Sequence, residues 1–362
     1  MDLPDLDRRQ FLAVGGGGLI CTLAGQKLRV DEPADLDKLA AELKTPPKVA
    51  RARGGTQAGG SDAESAAGAA SSSQLAAATT SADREYWIRA EPRKWNIVPT
   101  GRDEMMDAPV SGKTNFQPWV YREYEPGFAA PKAKGYMPGP LIEANIGETV
   151  DVHFRNGVGS PVTIHPHGIF YAEESDGSYK GAYTDPGGFV QPGEEVTYHW
   201  EAREGTQGLW LYHDHGPMDP VPTYKGLFGP LIIRDPSDPE PPDVEHFVFM
   251  HSLTPVATGL NRTFSCINGR AYAGNAPTFT ATVGQRVAFH VVAIDNDFHT
   301  FHLHGHRWQD GVDGPIIDTK TVGPAESYSL AFDEDNAGRW FYHCHVFTHL
   351  HMGMNGWYVV SP

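Results

Sequence analysis

The chain has 362 residues and a formal charge of −16; charged residues make up 20% of it, and it carries 40 glycines and 29 prolines. That length is too great for one small sandwich and suits two domains with additional segments. The acidic balance argues against a nucleic-acid binder or a protein held on an anionic membrane surface, and leaves the fold open.

The N-terminus reads Asp7-Arg8-Arg9-Gln10-Phe11-Leu12, followed by an apolar, glycine-rich run to about Ala24. This is the pattern of a twin-arginine export signal over residues 1–25, which places the protein in the periplasm or outside the cell. The run is too short to span a membrane as a helix. Residues 26–84 are expected to form a flexible low-complexity linker. A short amphipathic pattern at 35–43 is followed by an Ala/Gly/Ser/Thr tract at 50–82 with too little apolar surface to fold.

From Glu85 onward the pattern changes. Runs at 149–154, 196–200, 286–291 and 357–360 mix β-branched and aromatic residues between Gly/Pro-rich turns, the signature of an all-β sandwich protein. Prolines 236, 239, 241 and 242 mark a hinge, dividing a first domain at 85–236 from a second at 243–362. Three cysteines occur, Cys21, Cys266 and Cys344, and no disulfide is expected.

The two halves are related. Gly147-Glu148-Thr149-Val150 precedes His165 by 18 residues, as Gly284-Gln285-Arg286-Val287 precedes His302, at an offset of 137. Downstream, the stretch from Gly208 to His215 matches that from Gly338 to His345 at an offset of 130. Ordered matches of this kind mark a duplicated domain.

Four His-x-His pairs lie in the repeat register: His165/His167, His213/His215, His302/His304 and His343/His345. On an extended backbone both members of a pair face one side, so each pair brings two imidazoles to a common volume. Eight imidazoles without a carboxylate suit copper better than calcium or magnesium. Cys344 points away from His343 and His345. With His299, His349 and Met354 it has the ligand set of a blue-copper centre, Met352 being the alternative axial thioether. The repeat places Val162, Asp214, Asp219 and Tyr224 at these positions in the first half, so a blue-copper site is expected in the second half alone. His306 is expected to stand beside the metal site, not to bind in it. His153, His199, His246, His251, His290 and His351 lack the pattern and read as structural.

His165-Pro-His-Gly, His213-Asp-His, His299-x-x-His-x-His-Gly and His343-Cys-His-x-x-x-His-x-x-x-x-Met resemble the four copper motifs of the multicopper oxidases, and the arrangement is similar to the two-domain bacterial small laccases. The resemblance covers residues 85–362 and implies two cupredoxin-like Greek-key β-sandwich domains. It implies a type 1 copper at His299, Cys344, His349 and Met354, and a type 2 copper at His165 and His302. Two type 3 coppers would take His167, His213, His215, His304, His343 and His345. One-electron oxidation of a phenol or aromatic amine would then feed four-electron reduction of dioxygen to water. Asp176 and Asp318 match acidic positions of small laccases that serve proton delivery, and Tyr171 a tyrosine near the cluster that can supply an electron. The resemblance also implies a homotrimer with a cluster between chains. A metallo-oxidase of cuprous, ferrous or manganous ions and a copper-sequestering protein without turnover are the alternatives. A copper nitrite reductase would keep a blue-copper site in the first half, which Val162, Asp214 and Asp219 exclude.

Replacing the axial thioether by an apolar side chain destabilises the oxidised metal relative to the reduced. Met354→Leu is therefore expected to raise the type 1 reduction potential in a redox titration followed by the blue band; an unchanged or lowered value would assign the axial position elsewhere.

Overall fold

The computed structural model describes residues 82–362 and, for the backbone alone, the segments Leu19–Leu23 and Gln26–Val30. These two segments pair antiparallel, Leu19 opposite Val30, across the expected junction of leader and linker, where the sequence reading placed no strand. The Arg8-Arg9 motif and the tract from 50 to 81 lie outside the described residues.

Each half of the chain builds two sheets around the same eight-strand connectivity, with one further edge strand, Phe170–Tyr171 in the first half and Thr319–Val322 in the second. In the first half, a five-stranded sheet runs Phe170–Tyr171, Glu195–Glu201, Thr149–Asn156, Arg84–Pro92, Trp119–Tyr124. Its partner runs His165–Pro166, Gly208–His213, Phe228–Arg234, Ile142–Asn145. In the second half, a four-stranded sheet runs Phe264–Ile267, Val244–Leu253, Arg286–Ala293, Ser327–Asp333. A five-stranded sheet runs Thr278–Thr282, Asn355–Ser361, Gly338–Cys344, His299–Leu303, Thr319–Val322. The parallel pairings recur at matching places. Thr149–Asn156 lies along Arg84–Pro92 as Arg286–Ala293 lies along Val244–Leu253. Phe228–Arg234 lies along Ile142–Asn145 as Asn355–Ser361 lies along Thr278–Thr282. The fold is all-β, two sandwiches of one design, and the α-helices among the described residues have only four or five residues. No helix among the described residues is long and apolar enough to cross a membrane.

Side-chain alternation explains the burial. On Thr149–Asn156, Val150, Val152 and Phe154 turn into the first sandwich while Asp151, His153 and Arg155 face out. Phe228–Arg234 and Arg286–Ala293 are covered on both faces, which is why they read as nearly continuous apolar runs. Their second cover is a core shared by the halves, in which Leu209, Leu211 and Phe228 pack with Phe249, Phe264 and Val292. Cys266 is fully buried there as a free thiol, and Cys344 is likewise free. The segment after Arg84–Pro92 crosses onto the second half: Trp95 donates to the Gly269 carbonyl at 2.6 Å, and Arg339 reaches Glu104 at 2.6 Å.

The rings of Phe228 and Phe249 stack across the boundary, 5.4 Å apart with planes 16° apart. Phe249→Ala is expected to cost about 3–5 kcal/mol. Because the core is shared, urea unfolding should remain one transition with a lower midpoint; two separated transitions would show that the halves fold independently.

Candidate metal centres

The strand Gly338–Cys344 places its last residues between two groups of imidazoles. Cys344 is fully buried on the core side, with His299 of the strand His299–Leu303 and His349 of the helix Phe347–His351 around it. Its Sγ lies 3.9 Å from His299 Nδ1 and 3.8 Å from His349 Nδ1. Those separations suit one ion bound by a thiolate at about 2.3 Å and by imidazoles at about 2.0 Å. Met354 is fully buried in the same core cluster as Cys344, and its carbonyl accepts the Cys344 N–H at 3.0 Å; Met352 is partly exposed. Burial pushes the Cys344 thiol up, but the two imidazoles and the Thr300 N–H outweigh it and bring it down to about 6. The thiolate is thus the favoured form at neutral pH, as a metal ligand must be. His299 Nε2 is held by the buried Asp295 carboxylate at 3.0 Å, leaving Nδ1 for the metal.

The remaining pairs form two quartets, one per half. In the first, His167 Nε2 and His213 Nε2 are 3.1 Å apart, and the rings of His165 and His215 stand 5.3 Å from one another. In the second, His304 Nε2 and His343 Nε2 are also 3.1 Å apart, with His302 and His345 at 5.6 Å. Backbone carbonyls fix the tautomers. His165 Nδ1 donates to Asp176 O at 2.6 Å, His213 Nδ1 to Asp214 O at 2.7 Å, His302 Nδ1 to Asp318 O at 2.8 Å and His343 Nδ1 to Cys344 O at 2.9 Å. Each ring then turns an unprotonated Nε2 toward its quartet. Burial, helped by neighbouring imidazoles, lowers His213 to about 3 and His167 and His343 to about 4, so these rings are neutral. The bare Nε2 of His213 and that of His343 each lie 3.1 Å from a facing ring, His167 or His304, whose Nε2–H donates to it until an ion displaces that proton and takes both nitrogens. The donor sets therefore fit copper in both places.

Among the described residues, ring contacts join the histidines within each quartet and none joins one quartet to the other. His304 and His345 are exposed. The glycines after His167 and His304 have a local cause. Gly168 and Gly305 sit at φ +71° and +75°, and a Cβ on either would strike Trp210 or Trp340.

In the first half the blue-copper positions hold Val162, Asp214, Asp219 and Tyr224. Thr163 N–H donates to the fully buried Asp214 carboxylate at 2.8 Å, as Thr300 N–H donates to Cys344 Sγ at 3.4 Å. Burial pushes Asp214 up to about 8. Asp176 stands beside His165, its Oδ1 3.1 Å from Nδ1 and its Oδ2 2.9 Å from Lys180 Nζ. Tyr171 is an exposed edge-strand residue whose ring lies 6.1 Å from that of His165; burial and Asp176 raise its phenol. Asp318 is brought to His302 by its carbonyl, while its carboxylate is mostly solvent-exposed, 3.9 Å away. Sequence reasoning missed Asp295 and Lys180. Asp295 lies four residues before His299, and Lys180 four after Asp176, spacings that carry no signal on loops.

Residues 129–238 and residues 235–362 each match a family model described as Multicopper oxidase. A probable nitrite reductase-hydroxylamine oxidoreductase fusion protein of Kuenenia stuttgartiensis is 34% identical over 239 residues, covering 62% of this chain and 28% of its own length. Hephaestin of Mus musculus is 28% identical over 351 residues, covering 78% of this chain and 30% of its own. The chain thus spans less than a third of the length of these curated relatives. A solved multicopper oxidase superposes with a TM-score of 0.62 at 24% identity, covering 77% of this chain and 89% of that one, and shows the same cupredoxin-like fold.

The Asp295 carboxylate makes His299 a stronger donor and favours the oxidised metal through its charge. Asp295→Asn is expected to raise the potential of the blue site and to weaken its copper about 10–100-fold, read by redox titration and chelator competition. A potential unchanged within error would show that Asp295 only packs.

Proposed function

The chain belongs to the multicopper oxidases, and from that premise we propose that it is laccase-like, taking single electrons from small phenols or aromatic amines and delivering them to dioxygen. The observation that carries this reading is the position of Cys344. Its Sγ faces His299 and His349, its chain neighbours His343 and His345 belong to the second quartet, and its carbonyl accepts the His343 Nδ1–H. A covalent path and a hydrogen-bonded path therefore both lead from the thiolate to cluster imidazoles. Copper, when bound, supplies one-electron acceptance at the first site and the four-electron reduction of dioxygen to water at the second.

We assign His299, Cys344, His349 and Met354 to one type 1 copper, His165 and His302 to a type 2 copper, and the other six paired histidines to two type 3 coppers. Asp176, tied to Lys180 and beside His165, is placed to hand protons to the cluster; Asp318 stands in the corresponding place beside His302. Tyr171, with its phenol near Asp176, is placed to lend an electron and a proton together. Each quartet is half of an eight-imidazole site, and neither touches the other within the chain. A closed ring of three chains, each pairing its first half with the next chain's second, completes three clusters. The Arg8-Arg9 leader supports export by the twin-arginine route to the periplasm or beyond.

A second reading, a metallo-oxidase, draws on Asp297. Its mostly exposed carboxylate lies 3.9 Å from His349 Nε2, and a hard oxygen donor there suits a ferrous or manganous ion. Copper storage would have no use for the path through Cys344.

Oxygen consumption with a phenolic donor, with visible spectra of the same copper-loaded sample, tests the leading reading. Wild type should show uptake and an intense blue band, and Cys344→Ser should lose both. A blue band with uptake on ferrous or manganous ions but none on phenols would select the metallo-oxidase, and bound copper without uptake on any donor would select storage.

A further inference from the structure

The second quartet rests on a buried polar group that the first quartet lacks. His306 Nδ1 donates to the His304 carbonyl at 2.8 Å, and its Nε2 lies 3.0 and 3.1 Å from the two carboxylate oxygens of Glu334. The Tyr358 phenol donates to the same carboxylate, as does the Asn336 N–H at 3.0 Å. Glu334 is 1% exposed, His306 6% and Tyr358 0%.

The duplication supplies an internal comparison. Gly284 N–H bonds the Glu334 carbonyl at 2.8 Å and Glu334 N–H the Gln285 carbonyl at 2.8 Å. In the first half Gly147 and Glu148 make the same two bonds with Ala202, at 2.6 and 2.9 Å. His304 N–H bonds Phe341 O as His167 N–H bonds Leu211 O, both at 2.9 Å, which places Ile169 where His306 stands. Tyr358 pairs with Trp340 in register as Leu231 pairs with Trp210. Where the second half has His306, Glu334 and Tyr358, the first half has Ile169, Ala202 and Leu231, all in its apolar core. The sandwich therefore closes without the polar group.

A buried imidazole–carboxylate pair is costly unless every partner is satisfied, and apolar residues commonly replace it without loss of stability. What apolar residues cannot supply is the bond to the His304 carbonyl. His304 is the exposed member of its facing pair, with His343 nearly buried. Among the described residues no carbonyl takes a proton from its ring, unlike His302 and His343. Its backbone is what the structure holds.

We propose that Glu334, His306 and Tyr358 are positioning residues for His304, fixing from beneath the backbone that carries this ligand so that an open half-site keeps its geometry. This rests on the assignment of His304 to the shared cluster.

The test transplants the first half's own residues: His306→Ile, Glu334→Ala and Tyr358→Leu together. Glu334→Gln serves as the milder variant should the triple variant not fold, and His304→Ala as the reference. Copper per chain is measured against rising EDTA, with the blue band and the thermal midpoint recorded on the same samples. The triple variant is expected to keep its fold and blue band and to lose the cluster's copper at about tenfold lower EDTA, with Glu334→Gln shifted the same way. If His304→Ala loses cluster copper while the triple variant and Glu334→Gln hold it as wild type does, the positioning role is overturned and the cluster assignment stands. If His304→Ala also holds all its copper, the assignment of His304 falls and the inference with it.

Discussion

Two imidazoles held with their Nε2 atoms 3.1 Å apart, one of them fixed as an acceptor, are the arrangement on which both quartets depend, and this chain builds it twice. It does so by spending the other nitrogen. His213 and His343 each give their Nδ1 proton to a backbone carbonyl, that of Asp214 or Cys344, and the carbonyl belongs to a residue anchored in the sandwich. The ring cannot flip without abandoning that bond. The Nε2 of that ring is thereby kept as an acceptor, which takes the proton of the facing ring until a cation displaces it.

The second constraint is the alternation of a single strand. Because Cys344 turns inward while its neighbours turn toward the quartet, one backbone segment serves both centres. The same segment in the first half shows what is lost when one residue changes. Asp214 occupies the cysteine's place and accepts the equivalent N–H from Thr163, while His213 and His215 on either side keep their quartet positions. A fully buried carboxyl group near Tyr121 and Tyr198 satisfies the backbone but offers no soft ligand. The two halves thus share the quartet of imidazoles, and the thiol stands in one of them.

Much of this was legible in the sequence because it is periodic. His-x-His pairs need only the two-residue repeat of a strand to define a shared face, and the offsets of 137 and 130 align the halves without knowledge of the sheets. The strands at 149–154 and 286–291 extend only two residues further in the structure, to Asn156 and Ala293. What was not legible is contact between residues with no periodic relation. Asp295 meets His299 across a loop, Glu334 just past the strand Ser327–Asp333 meets His306 just past the strand His299–Leu303 of the other sheet, and Trp95 reaches Gly269 over the domain boundary. Carbonyl acceptors such as Asp176 O and Asp318 O are invisible in principle, since any residue has a carbonyl. Sequence reasoning chose both aspartates for their carboxylates, yet in the structure it is their backbone that reaches the imidazoles most closely.

The two imidazoles beside Cys344 are not equivalent, and the difference decides where an electron donor can approach. His299 is fully buried, and its far nitrogen is occupied by Asp295. His349 lies on the short helix Phe347–His351, and its far nitrogen points toward the exposed Asp297, with 14% of its side chain open to solvent. Both rings turn Nδ1 to the thiol, so in each case Nε2 marks the edge farthest from the metal position. Only at His349 does that edge reach the surface. The imidazole that links solvent to the thiol is therefore that of His349, on the side of the exposed Asp297 carboxylate.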